Sequence, residues 1–386
     1  MGRFVLVALL VACGRIDFDN HVASTDAAGG DVGSGPCPVT LATGTDHTCV
    51  AFDDGTMQCW GSNAAGQLGD GTKMDRSSPV TLGLTGVIQL AANSEHTCAV
   101  TTAGDVWCWG GNTSGQLGDG TMVEHLAPQQ VPGVTGVKQV MAGSSHTCVL
   151  LMSGSMECWG SNTNGELGDG TVTPRPTPGA VMGITNAVAI GGEGCHTCAK
   201  LAGDALCWGC DFYGQLGNAT TSSQQTTPAQ VMGIANLTSL FVGRYHTCGL
   251  TGGAVSCWGL NLSGQLGETS ATTQRTLPNP VAGMTGVLGL YGGHRNTCAT
   301  KSDGSLWCWG ENLEGQLSDG TQARLYAPTA IPTPGVIDVQ GGTSHLCTRR
   351  VDGSVWCAGN NAKGQLGDGT NTNSPIMPVQ AIAACR

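Results

Sequence analysis

The chain has 386 residues, a net charge of −11, 62 Gly, 19 Cys and 9 Trp, and only 11% of its residues are charged. An acidic chain without a basic cluster is a poor match for nucleic acid or for an anionic membrane surface. Few charges and many glycines exclude a protein of amphipathic surface helices and favour short strands between tight turns. Nineteen cysteines point to an oxidising compartment.

At the N-terminus Arg3 precedes an apolar run from Phe4 to Ala12. That run is too short to span a bilayer, which takes ~20 residues, so it reads as the hydrophobic part of an export signal. It ends in Leu10-Val11-Ala12-Cys13, which resembles the bacterial lipobox. The resemblance implies a lipid on Cys13, and hence a membrane contact made through that lipid alone. An ordinary cleaved signal is the alternative; myristoylation fits poorly, because position 6 is neither Ser nor Thr. Residues 14–36 are rich in Gly, Ala, Asp and Ser and read as a flexible tether. The expected organisation is therefore signal and lipobox over 1–13, tether over 14–36, and one folded unit over 37–386.

The folded part is periodic. His-Thr-Cys begins at His47, His96, His146, His196 and His246, and recurs altered as Asn296-Thr297-Cys298 and His345-Leu346-Cys347. The leading cysteines, Cys49, Cys98, Cys148, Cys198, Cys248, Cys298 and Cys347, lie 49 or 50 residues apart. Nine or ten residues after each comes a second: Cys59, Cys108, Cys158, Cys207, Cys257, Cys308 and Cys357. Trp-Gly follows in six units and Ala358-Gly359 in the seventh, and then the run Gly-Gln-Leu-Gly-Asp-Gly-Thr, intact at 66–72, 115–121 and 364–370. A unit of this length with several short strands cannot bury both faces of its own sheet. Stacking such sheets around an axis does, and seven units fall within the usual range of blades. The fold class expected is all-β, a seven-bladed propeller.

The motif HTC…DG.V.CWG.N..GQLGDGT resembles the family named after the regulator of chromosome condensation, over residues 38–383. The resemblance independently implies a seven-bladed propeller of four-stranded blades.

The cysteine spacing is a register statement. A hairpin centred on Asp54 sets Cys49 opposite Cys59, while Cys248 and Cys257 leave Gly252-Gly253 as a two-residue primed turn. Opposed positions lie close enough for a disulfide, giving one staple per blade. Zinc sites usually hold cysteines two to four apart, unlike most pairs here. Cys195 and Cys210 lie on the same ladder as Cys198 and Cys207, but three positions along a strand reverses the face, so that rung needs a bulge or unusual geometry. Cys37 and Cys385 fall within two residues of the same repeat phase. In a closed ring they are neighbours, and a bond between them locks the seam.

The remaining chemistry reads as structural. A histidine before each strand cysteine is expected to bond backbone within its own blade rather than join a metal ring. Asp70, Asp119, Asp169, Asp319 and Asp368 lack the alternating oxygens and distal Glu of a calcium loop and suit tight turns. Trp60, Trp109, Trp159, Trp208, Trp258 and Trp309 read as packing between blades, and Trp107, Trp307 and Trp356 as core or exposed platforms. No nucleophile, base and acid set stands out, so no enzyme activity, no cofactor and no metal site is expected. The leading function is a monomeric extracytoplasmic scaffold, anchored at the cell envelope or secreted, that binds a protein. Its contacts are expected in the variable stretches after each GQLGDGT, at Lys73, Arg76, Glu124, His125, Arg175, Arg275, Arg324 and Tyr326. Two alternatives stand beside it. One is a guanine-nucleotide exchange factor by family analogy, which the even spacing disfavours because no wedge is inserted. The other is a binder of extracellular glycan or an inhibitor of a secreted enzyme, as in the resembling propeller that inhibits β-lactamase.

Overall fold

The computed structural model describes residues 35–269 and 272–385, so the expected signal, Cys13 and the tether up to residue 34 lie outside the described residues. The described chain forms 28 strands in seven consecutive four-stranded antiparallel blades. In the first blade β1 (Pro38–Thr43), β2 (His47–Phe52), β3 (Met57–Gly61) and β4 (Arg76–Thr81) pair in chain order. β1 touches the first strand of the second blade and that of the last, so the first strands line the axis and the ring is closed.

Burial explains the strand sequences. β2 is buried on both faces, because a neighbouring blade covers each side of the sheet, and it reads as a near-continuous run without polar alternation. β4, at the rim, stays partly exposed throughout. Each cluster of buried apolar side chains spans two adjacent blades. At the seam Leu41, Val50, Phe52 and Trp60 meet Cys347, Val355, Cys357 and Leu366. The core thus lies between blades, and a blade by itself has nothing to close on. Removing one of the fully buried tryptophans should cost about 3–5 kcal/mol.

The cysteines pair as the spacing implies. Cys49 faces Cys59 in the β2–β3 ladder, and all seven staples have Cα–Cα distances of 4.1 Å. In the fifth blade Thr251 pairs with Ala254 across Gly252 and Gly253, both at positive φ, as a primed turn requires. Cys195 precedes the strand His196–Lys200, so its bond to Cys210 joins a loop to a strand and escapes the parity objection. Cys37 and Cys385 are bonded across the seam with a Cα–Cα distance of 5.3 Å.

The histidines differ from expectation. Each reaches the next blade and bonds a side chain there, not backbone in its own. His47 Nε2 lies 2.9 Å from Thr97 Oγ1, and the same link joins His96 to Thr147, His146 to Thr197, His196 to Thr247 and His246 to Thr297. His345 carries it over the seam to Thr48 at 3.0 Å. Each of these threonines donates its hydroxyl proton to the carbonyl of the Gly-Gln-Leu or Gly-Glu-Leu residue of the preceding blade, such as Gln67 at 2.8 Å. The histidine Nε2 is therefore the donor to threonine. The same carbonyl also accepts the tryptophan indole N–H, as Gln67 does from Trp109 at 2.9 Å.

One interface departs from this pattern as a set. Between the sixth and seventh blades Asn296 replaces the histidine, Leu346 the threonine and Ala358 the tryptophan. In five other blades and at the seam, the second glycine of the Leu-Gly turn lies under that tryptophan. A Cβ on Gly367 would sit 2.6 Å from Trp60 Nε1. The sixth blade, facing Ala358, carries Ser318 there, at a φ of 57°. In exchange the first strands Val287–Gly293 and Val336–Gly341 pair directly in parallel at Gly292 and Gln340.

Candidate functional site

In a four-strand meander the β1–β2 and β3–β4 connections share one end of the blade, and the other loops the opposite end. The connections between the first and second strands of the blades are two to four residues long and surround the axis, and the three residues before the histidine slot differ from blade to blade. They read Gly44-Thr45-Asp46, Asn93-Ser94-Glu95 (Asn93 ending its strand), Gly143-Ser144-Ser145, Glu193-Gly194-Cys195, Gly243-Arg244-Tyr245, Gly293-His294-Arg295 (Gly293 likewise) and Gly342-Thr343-Ser344. Here a uniform repeat changes in every unit, which is the signal that sequence reasoning passed over. Backbone bonds lean these loops on one another, including Ser144 N to Gly194 O at 3.0 Å and Thr343 N to Thr45 O at 3.2 Å. Asn93 Nδ2 reaches across to the Glu193 carbonyl.

Charge divides this face. Asp46 and Glu95 stand on one side and Arg244 and Arg295 on the other. Burial raises the Asp46 carboxyl, with Lys363 pulling it back. Glu193 sits between the two halves, 3.4 Å from His294 Nε2. Burial pushes its carboxyl well above the usual range against the attraction of Arg244. His294 is driven down to about 3 by burial, then by Arg244, His345 and Arg295, and its Nδ1 lies 2.7 Å from Thr343 Oγ1. Both shifts favour the neutral forms of a buried pair.

Beside the axial loops runs an apolar arc. Phe212, Leu262 and Leu313 occupy one repeat position in successive blades and are 47%, 58% and 47% exposed. The other blades hold Ala64, Thr113, Thr163 and Ala362 there. Tyr213 and Tyr245 meet edge to face at 5.5 Å, and the Arg244 guanidinium lies 5.3 Å from the Tyr245 ring. Asp211, just before this arc, stands where other blades have Asn; burial pushes it up to about 6 against hydrogen bonds from Leu216 and Thr220.

The residues singled out from the sequence lie on the same face, farther from the axis. Arg76, His125, Arg175 and Arg275 share one slot, and each pairs with an acid of its own blade. The partners are Asp70 at 2.7 Å, Asp119 at 2.6 Å, Asp169 at 3.1 Å and Glu268 at 2.9 Å. Lys73 pairs with Glu124 of the next blade. Arg324 is half-buried, and Tyr326 is 45% exposed against Gly264. The acids serve the turns. Asp70 Oδ1 accepts from the Thr72 backbone N–H and hydroxyl, and Asp119, Asp169, Asp319 and Asp368 repeat this with their own threonines. Burial opposes ionisation of Asp70, Asp119 and Asp169, but these bonds and the paired Arg76, His125 and Arg175 side chains hold their carboxyls below the usual range.

Trp107, Trp307 and Trp356 are half-buried rather than open platforms. Lys301 covers Trp307 at 4.2 Å and Arg350 covers Trp356 at 4.5 Å. Both of those indole N–H groups are spent on serines, Ser305 and Ser354. A sugar ring would have to displace a cation to stack there.

Two models of the Regulator of chromosome condensation (RCC1) repeat match the chain. One matches residues 54–100, 103–150, 202–250 and 303–348, the other 39–67, 87–116 and 137–166, together more than half of it. Similar solved structures include human WBSCR16, at 24% identity and a TM-score of 0.73, covering 81% of this chain and 86% of that one. Yeast RCC1 (Prp20), solved bound to Kap60, is 20% identical with a TM-score of 0.76, covering 95% and 91%. Saccharomyces cerevisiae Prp20p, described with its binding to Gsp1p and histones, is 20% identical with a TM-score of 0.73, covering 91% and 87%. At these identities the likeness is one of fold. No curated protein matches the chain significantly by sequence.

Proposed function

Because the chain belongs to the regulator of chromosome condensation (RCC1) repeat family, we propose that it is a non-catalytic, extracytoplasmic propeller that binds a protein partner and is anchored through a lipid on Cys13. The observation that carries this is the gathering of repeat-breaking residues on one face. Exposed Phe212, Leu262 and Leu313 beside Tyr213, Tyr245, Arg244 and Arg295 have the aromatic and arginine composition of interface hot spots. The rim residues Lys73, Glu124, Arg324 and Tyr326 extend that surface outward. Arg76, His125, Arg175 and Arg275 contribute chiefly through the turns they hold. Nine disulfides support an oxidising compartment, and fold neighbours bind proteins, Kap60 in one case and Gsp1p and histones in another.

The test is crosslinking capture from intact producing cells, comparing wild type with Phe212→Thr/Leu262→Thr/Leu313→Thr. Threonine already occupies that slot in two blades, so the fold should be kept. Capture of a defined partner lost in the triple variant supports the reading; capture unchanged, or no saturable partner, defeats it. Cys13→Ser should release the protein from membranes, and membrane retention of that variant would refute the anchor.

A further inference from the structure

Several departures from the repeat line one cavity. It has a volume of about 260 Å³ and lies on the axial-loop face where the third, fourth and fifth blades meet. Its walls include Ser145, Ser161, Glu166, Cys195, Arg244 and Tyr245. The size is near the lower end for small-molecule sites, about 300 Å³.

Glu166 occupies a slot that holds glutamine in the other six blades. It is buried, and its carboxylate accepts the Asn164 backbone N–H at 2.8 Å and Asn164 Nδ2 at 2.8 Å. Where a glutamine would offer an N–H, it offers a second acceptor and a negative charge. Arg244 is equally out of pattern, in a slot that elsewhere holds Thr45, Ser94, Ser144, Gly194, His294 and Thr343. Its guanidinium makes none of the hydrogen bonds or ion pairs found among the described residues and rests against the Tyr245 ring. Burial pushes the neighbouring Glu193 carboxyl toward its neutral form against the attraction of Arg244. The hydroxyls of Ser145 and Ser161 are likewise uncommitted among the described residues. The Cys195–Cys210 bond, which no other blade has, ties the axial-loop wall of the cavity to a strand. Such a brace holds a site in shape before its ligand arrives.

We propose that this cavity binds a small zwitterion of the amino-acid or short-peptide class. The carboxylate meets Arg244 and the serine hydroxyls, and the ammonium meets Glu166. One cation and one anion in the walls match a ligand of no net charge, whereas a dianion would leave Glu166 opposed by like charge. This goes beyond the scaffold reading and does not depend on it: the test needs no protein partner.

Titration calorimetry on the full oxidised protein can use glycylglycine and alanylalanine, their N-acetyl and C-terminal amide forms, and inorganic phosphate. The free dipeptides should bind, each capped form about ten-fold or more weaker, with phosphate no tighter than the amides. Glu166→Gln installs the residue six blades already carry, so the fold is kept, and free and N-acetyl peptides should then bind alike. Arg244→Ser installs the residue of the second and third blades and should weaken the free dipeptides about ten-fold or more. No heat from the free dipeptides at about 10 mM, tighter binding of phosphate, or affinity unmoved by both variants would each overturn the proposal.

Discussion

Acidification should unfold this ring through its histidines. His47, His96, His196, His246 and His294 are held down to about 3, and His146 and His345 to about 4, by burial first and, for several of them, by neighbouring positive groups second. The hydrogen bonding agrees: Nε2 donates to threonine, and Nδ1 of His47, His96, His196, His246 and His345 has no partner to receive a second N–H. In the folded state these rings stay neutral down to about pH 4, whereas in the unfolded chain they take up protons below the ordinary histidine value of 6.5. Stability is therefore whole above about pH 6.5 and is lost as the pH falls toward the folded values. At about pH 5 the unfolded chain gains about 2 kcal/mol per histidine, on the order of 10 kcal/mol for the set. That is comparable with the whole stability of an ordinary domain, about 5–15 kcal/mol. Glu193, Asp46 and Asp211, whose carboxyls are raised, work in the opposite direction but are three groups against seven. Guanidinium midpoints of the oxidised protein should fall steeply from about pH 6.5 to 5, with proton uptake on unfolding approaching one per buried histidine. Midpoints flat across that range, or histidine Hε1 resonances titrating near 6.5 with the fold intact, would refute the reasoning.

The seam and the irregular interface give two further tests. Replacing Cys37 and Cys385 by serine opens a loop of sequence separation 348, for which chain entropy sets a ceiling of about 6 kcal/mol of lost stability. Hydrogen exchange should then quicken first around Thr48 and His345, and a loss below about 1 kcal/mol would show that the noncovalent seam suffices. At the interface of the sixth and seventh blades, Ala358→Trp alone should cost about 1–3 kcal/mol by overpacking against Ser318. Adding Ser318→Gly should recover much of it, and additive costs in the double-mutant cycle would mean the two positions are not coupled.

Much of the fold was legible because its geometry is written in spacing. Cys49 opposite Cys59 follows from hairpin arithmetic, and the seam bond follows from the phase of Cys37 and Cys385 once a ring is assumed. The direction of the histidine bonds was not legible. In a perfect repeat, positions i and i+50 carry the same residues, so His47 bonding Thr48 of its own blade and His47 bonding Thr97 of the next leave the same sequence trace. The pairing of the rim residues was open to the sequence: Asp70 with Arg76, Asp119 with His125 and Asp169 with Arg175 recur six residues apart. The axial loops escaped notice because they are short. Two or three changing residues before His-Thr-Cys carry less visible variation than a five-residue rim segment, yet the ring brings seven of them together around one axis.

Each blade is completed by four consecutive strands, and among the described residues no strand crosses the seam to finish another sheet. The junction where the ring begins and ends is thus built of the same tryptophan, histidine and threonine contacts as most of the other junctions, and Cys37 and Cys385 lie 5.3 Å apart there at their Cα atoms. It follows that the blade at which the ring begins is, mechanically, arbitrary. A circular permutant that splices the present termini and opens the ring between two other blades would keep every interface and merely move the gap.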